Sequence, residues 1–214
     1  MKFILSCVLL LLCVPVGPAD AQVCAGAPSF RDNPFQGAVT AAFTEGARGF
    51  GGSFSGGGES IFGGAGVSIL NFSDLDTSAT RVSVGFGGDL QADQGGRVFL
   101  CPVGQVAFGV GPDVGTIEIS TITLSGGGIV GVVASETDTL TVIPNFGLFA
   151  LRTRVTAEAA GVDTTETDRS GLASIGVGFV FNRNVAVKPS VSIPFSVANA
   201  DAVFSIELAF GFGR

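Results

Sequence analysis

Two cysteines, Cys24 and Cys101, and six ionisable side chains set within segments of alternating polarity, Arg81, Asp89, Arg97, Glu118, Lys188 and Glu207, are the residues of this 214-residue chain whose types could do chemistry. Two thiols can close a disulfide or stay free, and charges facing a confined space can pair or select solutes. The chain has no His, which excludes Ser-His-Asp and Cys-His nucleophiles, imidazole metal ligands and histidine acid-base catalysis. An enzyme is therefore not expected, and no catalytic, metal or cofactor residues are assigned. The Gly-rich stretches Gly49 to Gly58, Gly63 to Gly66 and Gly126 to Gly128 lack the Gly-Lys-Ser/Thr ending of a phosphate loop. Acidic residues at Asp74, Asp76, Asp163, Glu166 and Asp168 lack calcium-loop spacing and read as solvated surface. A net charge of -7 with two lysines, Lys2 and Lys188, argues against a nucleic-acid partner, since phosphate neutralisation needs clustered bases.

The elements that must position these residues begin after residue 21. Lys2, the apolar run Phe3 to Val14 and the small-x-small triplet Ala19-Asp20-Ala21 have the form of a secretory signal peptide cut near Ala21. Cleavage removes Cys7 and Cys13 and leaves Cys24 and Cys101 as a lone pair in an exported chain. A disulfide is the expected state, two free thiols the alternative.

Beyond the signal the recurring pattern has period two, the mark of strands whose faces meet different surroundings. Phe204, Ile206, Leu208, Phe210 and Phe212 share one face of the last segment, and Val185, Val187, Val191, Ile193 and Phe195 one face of the segment before it. The opposite faces are mostly Gly, Ser and Ala rather than the Lys, Glu and Arg of a water-facing sheet. Only 14% of residues are charged, against about 25% in a typical soluble domain. Small residues suit a crowded lumen, and the large apolar face suits lipid tails. The fold expected is all-β: a closed antiparallel up-and-down transmembrane β-barrel. Its strands fall at 36–45, 48–56, 60–72, 79–90, 97–110, 116–134, 139–155, 170–182, 185–197 and 202–213. If the two weak N-terminal runs do not both pair, the count is eight. A parity change near Ser120 reads as a bulge. The tight Asn182-Arg183-Asn184 connection is expected on the periplasmic side and the charged Val162 to Arg169 connection outside.

Signal peptide, alternating strands and the Phe-rich final strand together resemble the small, porin-like outer-membrane β-barrel proteins of Gram-negative bacteria, over about residues 35–214. The resemblance implies a bacterial outer-membrane location, lipid as a partner, and recognition of Phe204, Ile206, Leu208, Phe210 and Phe212 by the barrel-assembly machinery. Gly213 and Arg214 follow the last of these, so no aromatic closes the chain, and Phe alone must serve at the interfaces where the family places Tyr and Trp.

On this plan residues 22–34 form a periplasmic segment. Cys101 shares parity with Phe99, Val103 and Gln105 and points inward, so Val23 to Arg31 folds back and is stapled to the inner wall, either as a partial plug or as a tether quieting a terminus. Arg81, Asp89, Arg97, Glu118, Lys188 and Glu207 are expected in the lumen, as a solute-selecting lining or as ion pairs holding the barrel closed. A turn centred near Asn199 would set Lys188 opposite Gly211, about four residues from Glu207, and so not its direct partner. The function expected is a structural barrel or narrow passive pore for small solutes. The alternative is a surface adhesion or interaction protein acting through the loops.

Overall fold

The computed structural model describes residues 23–30, 32–58, 60–73, 77–112, 117–159, 162–195 and 201–213. The signal-peptide reading, Asp74 and Asp76 lie outside them. Among the described residues a 3-10 turn at Val23–Ala25 is followed by the strands β1 (Phe35–Thr44), β2 (Ala47–Gly57), β3 (Ile61–Phe72), β4 (Thr77–Gly88), the short β5 (Leu90–Gln91), β6 (Val98–Val110), β7 (Glu118–Val132), the short β8 (Ser135–Glu136), β9 (Leu140–Ala159), β10 (Val162–Phe181), β11 (Val185–Phe195) and β12 (Val203–Phe212). Leaving aside β5 and β8, which pair only with β6 and β9, each of the ten long strands lies antiparallel to the next, and β12 returns to β1 from Phe35 opposite Phe212 to Phe43 opposite Phe204. Closure leaves no open edge, as a span through hydrocarbon requires. Both weak N-terminal runs are full strands, so the count is ten.

Both ends of the barrel chain emerge on one side, together with the β10–β11 turn. There Asn182 and Arg183 take φ of 47° and 62°, the left-handed conformation that lets antiparallel strands reconnect within a few residues. On the same side the β5–β6 turn is tied by Asp93. Its carboxylate accepts backbone N–H groups from Val98 at 2.8 Å, Arg97 at 2.9 Å and Gly95 at 3.2 Å. These bonds, the one from Val98 foremost, hold its pKa below the ordinary carboxylate value.

The outward residues are Val, Ile, Leu and Phe on every long strand, with Ile61 73% and Phe86 69% exposed. On β7 the outward run from Ile122 to Val132 rises about 33 Å along the strand at 3.3 Å per residue, and about 25 Å when tilted near 40°, the height of an outer-membrane apolar band. No soluble monomer exposes a continuous apolar belt of this kind. Val84→Arg, in the middle of outward-facing β4, should cost about 2–4 kcal/mol in vesicles, as for a cation at the bilayer midplane. Urea unfolding checks this. A change below about 0.5 kcal/mol, the usual surface value, would mean that this face meets water.

Three details depart from the sequence expectation. Val162 to Arg169 is no loop: β9 and β10 run as a continuous hairpin of 20 residues each, paired from Phe181 opposite Leu140 to Val162 opposite Ala159. Thr156 and Thr165 share a hydroxyl hydrogen bond of 3.3 Å across it. Beyond the belt both faces of this hairpin meet water, so its side chains carry no polarity alternation. There is also no bulge near Ser120, because β7 pairs without a break from Val110 opposite Ser120 to Val98 opposite Val132. Ile119 instead turns inward and packs on Val155, which is why the parity of its apolar residues switches. Last, β11 and β12 pair with Lys188 opposite Glu207 rather than Gly211, with consequences for the lumen.

Candidate functional site

The chemistry of this chain is inside the barrel, where each strand's inward parity carries small residues that leave room for chain and water. Residues 24–33 occupy the terminus side of that space. Cys24 is fully buried and joined to Cys101 of β6 by a disulfide, with Cα atoms 6.1 Å apart. The chain crosses from there to the opposite wall. Asn145 of β9 donates to the Ala25 carbonyl at 3.4 Å, and Gln36 of β1 donates to the Pro28 carbonyl. Phe30 stacks on Phe62 of β3 with ring centres 6.0 Å apart, and Asn33 donates to the Arg183 carbonyl at 2.9 Å. Two wall glycines permit this approach: a Cβ on Gly131 of β7 would overlap the Cys24 backbone, and one on Gly178 of β10 would overlap Gly26. The segment thus touches β1, β2, β3, β6, β7, β9, β10 and β12 and seals against apolar side chains of Phe99, Val103, Ile129 and Phe149.

An Asp89 carboxylate oxygen and the two sulfurs lie within 4.8 Å of one another. With the sulfurs bonded to each other no thiolate remains to make that trio a metal centre.

Beyond the segment lies a cavity of about 90 Å³, room for several waters. Its wall includes Ala25, Thr40, Gln105, Asn145, Ser190 and Ser205. The Nε2 of Gln105 is buried without a protein acceptor among the described residues, so a water in this cavity is the acceptor open to it. Lys188 and Glu207 cross the cavity wall. They stand directly opposite one another on β11 and β12, joined Nζ to Oε1 at 2.8 Å with side chains 9% and 10% exposed. The expectation that they are not partners is corrected, because the register of β11 against β12 lies four residues from the one expected and sets Lys188 opposite Glu207. Thr40 donates to the second carboxylate oxygen at 3.5 Å, and the Ser190 and Ser205 hydroxyls lie 2.7 Å apart alongside.

Of the other charges expected in the lumen, Arg81 is buried on the inner face of β4 and Asp89 is half-buried near the disulfide. Arg97 and Glu118 do not line the lumen. Arg97 sits exposed in the turn before β6. Glu118 has outward parity opposite Glu158, next to the inward Ile119 that the supposed bulge had misplaced. Sequence reasoning missed Asn33, Gln36, Phe62 and Asn145. Gln36 carried a signal, being a large amide in a row otherwise made of Ala and Thr.

No family model matches the chain, and no curated protein matches it. Among solved structures it is similar to the N-terminal β-barrel domain of Pseudomonas aeruginosa OprF (13% identity, 83% of this chain and 96% of that one, TM-score 0.39). It is also similar to Neisserial surface protein A (13%, 84% and 97%, TM-score 0.45) and to the KdgM porin (9%, 83% and 99%, TM-score 0.41). Ten strands closed without an edge, an apolar belt of bilayer height outside and small polar residues within make the chain a small transmembrane β-barrel of the outer-membrane type.

Proposed function

We propose that this protein is a non-enzymatic barrel of the bacterial outer membrane whose narrow lumen is a passive path for small solutes, held shut on the terminus side by residues 24–33. The observation that carries this reading is the seating of that segment across the lumen, stapled by Cys24–Cys101 and in contact with eight strands. A mere tether would need the disulfide alone. Here close glycine approaches and hydrogen bonds on several walls specify how the segment lies. Above it the cavity wall mixes Ser, Thr, Gln and one ion pair with Val, Leu and Phe side chains, and its hydroxyl and amide groups can hold water and small polar solutes.

The surface-interaction reading keeps one specific support, the β9–β10 hairpin, which carries exposed Asp163, Thr165, Glu166 and Asp168 past the belt. It shares an open pocket with β4, β6 and β7, but the seating of the N-terminal segment across the lumen ranks the pore reading first.

Planar-bilayer recording separates these readings. The oxidised wild-type chain should be silent or nearly so. Cys24→Ser combined with Gly178→Val, which removes the staple and fills the space occupied by Gly26, should show discrete openings. Val suits a strand, so the wall should survive the change. Equal conductance in the two proteins would reject the plug, and silence in both, with hairpin deletions abolishing binding to cells, would favour the interaction reading.

A further inference from the structure

Of the arginines in the chain, three sit together on the outer wall. Arg152 and Arg154 lie two apart on β9 and so share a face, and Arg169 of β10 is directly opposite Arg152. All three are exposed. Directly opposite like charges destabilise an antiparallel pair, and no carboxylate makes an ion pair with any of them among the described residues. The remaining partner of Arg154 on β10 is Thr167, and the next outward carboxylates, Glu158 with Asp163 opposite it on β10 and Glu118 opposite it on β7, lie four residues further along β9 from Arg154. On the β7 side the arginines adjoin the belt itself, with Leu124 opposite Arg152 and Ile122 opposite Arg154, 55% and 47% exposed. Below them on β9 the outward face continues as Ala150, Leu148 and Phe146.

Cations placed against the edge of a hydrocarbon belt reach up for the headgroup layer, where the available counter-charge is phosphate. Guanidinium forks match phosphate oxygens in pairs. We propose that Arg152, Arg154 and Arg169 form a binding site for the phosphate of a lipid headgroup in the leaflet on the side away from the chain termini. The inference rests on the membrane-barrel reading and goes beyond it. The phosphate relieves the repulsion between Arg152 and Arg169, and its acyl chains lie on Leu124, Leu148 and Phe146.

The test folds the chain lacking residues 1–21 in neutral detergent micelles and titrates it with short-chain phosphatidic acid. Short-chain phosphatidylcholine is the zwitterionic control and inorganic phosphate the free anion, with retention read by native mass spectrometry. Wild type should retain phosphatidic acid over phosphatidylcholine. R152S/R154S/R169S should lose that preference by about fivefold for each arginine removed, the worth of a basic residue at an anionic surface. Equal retention by the two proteins overturns the proposal, and so does inorganic phosphate bound as tightly as the lipid. If the triple variant does not fold, Arg152→Ser alone, which removes the like-charge pair, should fold and show one fivefold step; no step overturns the proposal. Failure of wild type to fold in micelles would instead sink the membrane reading, and is visible separately as loss of the heat-modifiable gel shift.

Discussion

Glu207→Ala is expected to destabilise the folded barrel by about 3–5 kcal/mol, the cost of breaking a buried ion pair from one side, and the adjoining cavity of about 90 Å³ brings the value toward the lower end by admitting water. Lys188 is buried on the inner face of β11, where the carboxylate 2.8 Å away compensates the hydration it gives up. Removing the carboxylate takes the counter-charge from a buried ammonium. Removing both charges does not, so Lys188→Met with Glu207→Leu should recover most of the loss, as apolar replacement of a buried pair commonly does. Urea unfolding of the refolded proteins in micelles, as a double-mutant cycle, measures both changes. A single-variant loss under about 1 kcal/mol, the worth of a surface ion pair, would mean that the pair stands in bulk-like water and that the lumen is wide.

The second large effect belongs to the disulfide. Cys24 and Cys101 are 77 residues apart in sequence, and closing a loop of that length removes enough freedom from the unfolded chain to stabilise the fold by about 4–5 kcal/mol on chain-entropy grounds. Cys24→Ala with Cys101→Ala should lower the urea midpoint accordingly, and reduction of the wild type should lower it to the same place. The bridge encloses β1 to β5, among them the Gly-rich β2 and β3. The loss should therefore appear first as amide exchange in β1 and β2. A midpoint unchanged by reduction would show that the segment is held by its glycine contacts and hydrogen bonds alone.

Much of this molecule is legible in its residues. Strand positions follow from period-two rows, because each strand lies between two environments of opposite character and each residue must choose one. The same parity aims Cys101, Lys188 and Glu207 inward. The signal fails wherever both faces meet the same medium, as in the β9–β10 hairpin beyond the belt, where polar residues on either side hide a strand as long as any in the barrel. It also fails at Ile119, whose apolar side chain belongs to the inner face rather than to the belt.

From the residues alone come a closed apolar-faced barrel, its small-residue lining and a lone pair of cysteines, since these depend on what each side chain touches on average and on local alternation. The tertiary structure alone decided the register of β11 against β12 that makes Lys188 and Glu207 partners, the path of residues 24–30 and 32–33 across eight strands, and the meeting of Arg152 with Arg169. Each of these turns on which residue of one strand stands opposite which residue of another. A shift of two residues keeps every side chain on its own face while changing every neighbour, so alternation carries no record of it.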